Sequence, residues 1–220
     1  MGPIGDTKML LREERERIVH FGRKLANAHL TTGTGGNLSI ADRKAGLVAI
    51  SPSGIGYFQM RPRDVTVVDM AGEIREGACK PSSELGFHLA LYSTRPDVRA
   101  VVHTHSVYAT TIACLHWELP AVHYLVGLSG KKVPLAPYAT YGTKELARNV
   151  AESIGAYNAV LLANHGLVTV GVNMDMAYAV AEEIELVARI YYQARNVGQP
   201  VVLPDEEMEI VVEKFKEYGQ

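Results

Sequence analysis

Cysteine is scarce in this sequence. Cys79 and Cys114 are the whole complement of a 220-residue chain. They form no short-spaced pair, which excludes a disulfide framework; both are expected to be reduced core residues in a reducing compartment. Charge of one sign is lacking too. Lysine and arginine number 22 against 24 aspartates and glutamates, a net charge of -2. The basic residues are scattered and form no stripe of the kind that tracks a phosphate backbone, so nucleic acid is not an expected partner. No apolar run approaches the roughly 20 residues needed to cross a bilayer. The opening MGPIGDTKML lacks the hydrophobic stretch of a secretory leader. A cytoplasmic protein with no membrane partner is expected. Internal repeats and low-complexity linkers are absent, and with 47% apolar residues the length suits one domain over residues 1–220.

The hydropathy pattern alternates between two periods. Leu11, Ile18, Phe21 and Leu25 share one helical face of the segment Thr7 to His29, with Glu13 and Arg17 four apart on the other side. The glycine-punctuated TTGTGGNLSI and the SPSGIGY that follows LVAI mark loops at strand ends. Pro81, Ser82 and Ser83 predict a helix start with Glu84 in its first turn, continued by Leu85, Leu89 and Tyr92 and stopped at Pro96. VRAVVHTH predicts a buried strand, and YNAVLLANHGLVTVG two strands around an Asn-His-Gly turn. From Asn173, the positions Ala177, Val180, Ile184, Val187, Tyr191 and Ala194 predict a long helix closed by Gly198 and Pro200. A last helix is expected from Asp205 to Tyr218, acidic at its start and carrying Lys214 and Lys216 near its end. Helices mixed with hairpin-joined strands predict an α/β fold class: a single layered α/β/α domain around a largely antiparallel or mixed sheet.

Side chains on a strand alternate faces, so His103 and His105 should point the same way and could grip one cation. An isolated His-x-His can equally be a pair of surface histidines. His165 at the mouth of a tight turn and Glu84 just before the histidine strand strengthen the metal alternative. Three imidazoles and one carboxylate suit Zn²⁺ and also admit Mn²⁺, Co²⁺ or Fe²⁺. The other histidines are expected to be structural: His20 and His29 in the first helix, His88 in packing or beside the ligands, His116 and His123 as filler around Trp117. Three loops carry small donors, Gly36 with Asn37, Ser53 with Gly54, and Ser82 with Ser83. Glycine turns and helix N-termini bind dianions through aligned N–H dipoles, although each pair taken singly is also an ordinary turn or cap.

The ordered set TGTGGNLSI, SPSGIGY, KPSSELGFHLALY, AVVHTHSVYA, PAVHYLVG, APYATYGT and NHGLVTVG resembles the class II aldolase/adducin family over nearly the whole chain, and within it the fuculose-phosphate aldolase branch. That resemblance implies metal ligation by His103, His105 and His165, with Glu84 as the catalytic carboxylate that also ligates the resting ion. It implies phosphate contacts from Gly36, Asn37, Ser53, Gly54, Ser82 and Ser83. Tyr124 matches a tyrosine that enters a neighbouring subunit's site, which implies a homotetramer with sites at subunit interfaces, and Tyr218 matches a tyrosine of the C-terminal tail. One divalent ion per subunit, Zn²⁺ for preference, would stabilise the enediolate formed when a ketose 1-phosphate is cleaved to dihydroxyacetone phosphate and an aldehyde. The branch implies L-fuculose 1-phosphate and L-lactaldehyde. Epimerisation of a pentulose phosphate, another lyase reaction of the same fold, and an adducin-like structural role are the alternatives. Asn164 and Gly56 depart from the branch pattern, which bears on the aldehyde accepted.

Overall fold

Short runs of Val, Ile, Leu and Ala fit a pleated surface covered on both sides, and eight such segments pair into one sheet. The computed structural model describes residues 9–217. Its strands are β1 (Asn37–Asp42), β2 (Leu47–Ile50), β3 (Thr66–Asp69), β4 (Ile74–Glu76), β5 (Ala100–Thr104), β6 (Leu135–Ala136), β7 (Ala159–Leu162) and β8 (Gly166–Gly171). They lie in the order β4-β3-β2-β1-β5-β8-β7-β6. Every neighbouring pair is antiparallel except β6 with β7. The mixed sheet expected from the sequence is therefore present. Central β5 and β8 are buried along their whole length, as strands with helices on both faces must be.

Alternation along β5 separates the two sides of the core. Ala100 and Val102 pack with Ile18, Phe21 and Leu25 of α1 (Arg12–Asn27) and with Ala177 and Ala181 of α5 (Met174–Val197). Val101 faces the opposite layer, with Phe87 and Leu91 of α2 (Leu85–Thr94) and Leu146, Val150 and Ile154 of α4 (Lys144–Ile154). α3 (Val107–Cys114) lies against α5 in a third cluster that includes Ile112, Ile184 and Val187, and α6 (Asp205–Glu217) adds Met208 to it.

Several expectations need correction. α1 begins at Arg12, after a left-handed Leu11 with φ 50°, while Thr7 lies outside the described residues. Arg17 reaches across to Asp175 of α5, where the pattern had set it opposite Glu13. Neither cysteine is in the core: Cys79 is half-buried, Cys114 exposed, and both are free. His116 and His123 are hydrogen-bonded rather than filler. His116 Nε2 donates to Asn164 Oδ1 at 2.6 Å, and His123 Nδ1 accepts the Leu125 N–H at 3.3 Å. No described helix is long and apolar enough to cross a membrane.

Candidate active site

The four candidate ligands come together where β5, the β7–β8 turn and the start of α2 meet. His103 sits on β5, opposite Asn37 of β1 and Val168 of β8. Burial and the neighbouring His165 and His105 hold its pKa well below the usual imidazole range, so it is neutral. Its Nδ1–H donates to the Leu167 carbonyl at 3.0 Å, and this fixes the tautomer that leaves a bare lone pair on Nε2. His105 lies one residue beyond the end of β5 rather than on the strand. The chain still brings its Nε2 to 3.0 Å from His103 Nε2. His165 occupies the turn before β8, after a left-handed Asn164 with φ 53°. Burial lowers the pKa of His105 and His165 as well.

Two glycines make this convergence possible. A Cβ on Gly166 would stand 2.3 Å from the Thr104 carbonyl oxygen and 3.1 Å from His105 Cδ2, so only glycine lets β8 start under the histidine segment. Gly36 has φ +69°, and its Cβ would stand 2.5 Å from the His103 carbonyl oxygen.

Glu84 is the residue that caps α2 rather than a member of its first turn. Its carboxylate is buried, 6% exposed, and burial raises its pKa against the opposing pull of His165 and of the Asn37 hydrogen bond. Oε2 accepts from Asn37 Nδ2 at 2.9 Å and lies 3.3 Å from His103 Nε2. Oε1 lies 3.3 Å from His165 Nε2 and, although buried, has no hydrogen-bond partner among the described residues. The ligand nitrogens of the three histidines all fall within 4.8 Å of one another. Neutral imidazole lone pairs facing an orphaned carboxylate oxygen are a donor set that fits a divalent cation.

A cleft of about 440 Å³ opens beside this cluster. All six residues expected at a phosphate, Gly36, Asn37, Ser53, Gly54, Ser82 and Ser83, line it together with Glu84, His105 and His165. The two serine loops are held side by side by Ser82 N–H to the Ser51 carbonyl and Ser53 N–H to the Lys80 carbonyl, both at 3.0 Å. Those amides are thus occupied within the protein; the Ser82 hydroxyl oxygen accepts the Glu84 N–H at 3.2 Å and keeps its own proton to donate, while the Ser53 side chain faces the cleft. The side-chain amide of Asn37 is likewise committed to Glu84. Tyr124 is not among the lining residues. It is half exposed on a 3₁₀ turn, its ring stacked on Phe215 at 6.2 Å. Tyr218 lies outside the described residues.

Asn164 also lines the cleft, as do Tyr138 and Tyr141, to which the sequence pattern assigns no role. Two tyrosines three apart in a glycine-ended loop between β6 and α4 were the available signal. Both are exposed at the cleft edge, 59% and 67%.

Three histidines, one buried, one half-buried and one exposed at the cleft, converge with a buried carboxylate on an α/β/α sandwich, a donor set of the kind that holds a divalent cation. The model of the Class II Aldolase and Adducin N-terminal domain family matches residues 16–192, and the chain belongs to that family. It is 54% identical to the 5-deoxy-D-ribulose 1-phosphate aldolase of Bacillus thuringiensis serovar kurstaki, over 96% of this chain and all of that one. It is 42% identical to the L-fuculose phosphate aldolase of Escherichia coli K12, over 92% and 94% of the two chains. A solved L-fuculose 1-phosphate aldolase superposes with a TM-score of 0.91 at 50% identity, covering 93% of this chain and 96% of that one.

Proposed function

We propose that this protein is a metal-dependent aldolase that reversibly cleaves a ketose 1-phosphate to dihydroxyacetone phosphate and a short aldehyde. The observation that carries this is the orphaned Glu84 Oε1 among three neutral histidines, in a cleft lined by all three small-donor loops. His103, His105, His165 and Glu84 would hold one divalent ion, with Zn²⁺ favoured by three nitrogens and one oxygen. When bound, such an ion acts as a Lewis acid, drawing charge from the ketone oxygen as the carbon–carbon bond breaks.

The chain's own groups supply the rest. Gly36, Asn37, Ser53, Gly54, Ser82 and Ser83 form the cradle in which a phosphate is fixed, so that the ketone end is aimed at the histidines. In the cleavage direction the C3–C4 bond breaks, the proton on the C4 oxygen leaves, and the electron pair stays on C3. Glu84, released as the substrate binds and favoured in its protonated form by burial, takes up a proton from solvent, delivers it to C3 and accepts one from C3 in condensation. Tyr124, in the site of a neighbouring subunit of a homotetramer, takes the C4 hydroxyl proton as its own phenol proton passes to solvent, and Tyr218 is the second tyrosine assigned to the aldehyde half.

Two ketoses are candidates. The higher identity to the 5-deoxyribulose 1-phosphate enzyme favours a five-carbon deoxyketose, whose cleavage releases acetaldehyde; L-fuculose 1-phosphate would release L-lactaldehyde. Both aldehydes end in a methyl group and differ by one carbinol carbon. Metal-replete protein, dihydroxyacetone phosphate and each aldehyde in turn decide the matter. Condensation with either, abolished by chelator and restored by Zn²⁺, is expected. No condensation with any short aldehyde, or epimerisation of a pentulose phosphate in its place, would overturn the proposal.

A further inference from the structure

The sequence left His88 between packing and a place beside the ligands. It is the centre of a chain of hydrogen bonds running from Glu84 away from the cleft into the α2 layer. Asn37 Oδ1 is 2.5 Å from His88 Nε2, His88 Nδ1 is 2.6 Å from Ser39 Oγ, and Ser39 Oγ is 2.7 Å from the Tyr92 hydroxyl. Every member is buried: Asn37 4%, Ser39 0%, His88 0% and Tyr92 1% exposed. The ring of His88 is also clamped by stacking on Phe87 at 4.6 Å.

Donor chemistry gives this chain a single direction. In its resting, deprotonated state the Glu84 carboxylate only accepts, so Asn37 offers it the NH₂. Its Oδ1 then points at His88 Nε2 and requires a proton there. A neutral imidazole carries one N–H, which leaves Nδ1 as acceptor and makes Ser39 the donor to it. Ser39 can in turn accept from Tyr92. Reversing the amide would set two oxygens against each other at Glu84 and two donors against each other at His88, so the carboxylate and the Nε2–H tautomer hold the same orientation of Asn37 from its two sides.

We propose that His88, backed by Ser39 and Tyr92, is a positioning residue for Glu84, locking the Asn37 amide so that Oε2 is tethered and Oε1 alone is left to act. The two oxygens thereby acquire separate duties, one anchored and one free. This rests on the aldolase reading above only for its effect on rate. The tether itself is a property of the chain without metal or substrate.

The test has two arms on full-length protein. In metal-free protein, imidazole ¹⁵N–¹H correlation spectra should show His88 as the Nε2–H tautomer at neutral pH, and Ser39→Ala should let the Nδ1–H form appear. An Nδ1–H tautomer in the unsubstituted protein, or no change in Ser39→Ala, overturns the proposal. In the second arm, a glutamine amide nitrogen can reach the place of Nε2, whereas an asparagine amide reaches only that of Nδ1. His88→Asn should lower kcat about 10- to 100-fold with little change in KM, and His88→Gln should recover most of it. Equal losses in both variants, or crystals of His88→Asn with Asn37 and Glu84 unmoved, overturn it. If the unsubstituted, metal-loaded protein cleaves no ketose phosphate, the functional proposal falls, while the tautomer and the crystal still decide the relay.

Discussion

Acidifying the metal-free protein measures what it takes to keep His88 neutral inside the fold. Its ordinary pKa of 6.5 is pushed down to about 3 by complete burial, because a charged imidazole there would lose its hydration. Below pH 6.5 the unfolded chain protonates this residue and the folded chain does not. The unfolded state therefore binds more protons, and stability falls as the pH falls. The stabilisation is complete above pH 6.5 and is lost progressively until the folded-state value near 3 is reached. At ~1.4 kcal/mol per pH unit, His88 alone removes about 2 kcal/mol between pH 6.5 and pH 5. Urea unfolding should register this as a midpoint lower by about 1 M, for a slope of about 2 kcal/mol per molar. His103, His105 and His165 act in the same direction. Glu84, with its raised pKa, opposes them, since the folded chain keeps a proton that the unfolded one has released. Subtraction isolates His88. The pH dependence of His88→Gln should be shallower than that of the unsubstituted protein by that same ~2 kcal/mol over this window. Parallel curves would refute a neutral, desolvated His88.

Three further outcomes follow from the geometry. Glu84→Gln keeps the size of the side chain but not its charge or exchangeable carboxyl proton, so metal content should fall less than in a histidine variant while kcat drops about 10²- to 10⁴-fold; steady-state kinetics with elemental analysis checks both. Gly36→Ala forces a Cβ to 2.5 Å from the His103 carbonyl at φ +69° and should cost about 1–3 kcal/mol, read by thermal unfolding, with weaker metal retention. Glu185 accepts the N–H groups of Tyr108 and Ala109 at the start of α3, both at 2.8 Å; Glu185→Ala should cost about 1–2 kcal/mol of stability and leave metal content unaltered.

The ligand set could be read from the sequence because its members sit next to strong local signals. His103 and His105 end a β-branched run, His165 follows an apolar strand at a turn, and Glu84 follows a Pro-Ser-Ser helix start. The glycine loops were legible for the same reason. α3, written VYATTIAC, was not, because β-branched residues and a short length give it no polar face to mark a helical period. β4 and β6, three and two residues long, are too short to show alternation. The role of His88 was hidden for a different reason. Its partners Asn37 and Ser39 lie 51 and 49 residues away in sequence, so only the β1–α2 packing reveals that its ring is a hydrogen-bonded link. Tyr138 and Tyr141 were missed likewise, because a loop position acquires meaning only from the cleft it borders.

The account turns on whether His103, His105, His165 and Glu84 hold an ion. Elemental analysis of the purified full-length protein, dialysed against a weak chelator, tests this most directly. One divalent ion per chain in the unsubstituted protein is expected, with sub-stoichiometric content in His103→Ala, His105→Ala and His165→Ala although each variant remains folded by circular dichroism. An unsubstituted protein free of metal, or histidine variants that retain it in full, would contradict the account.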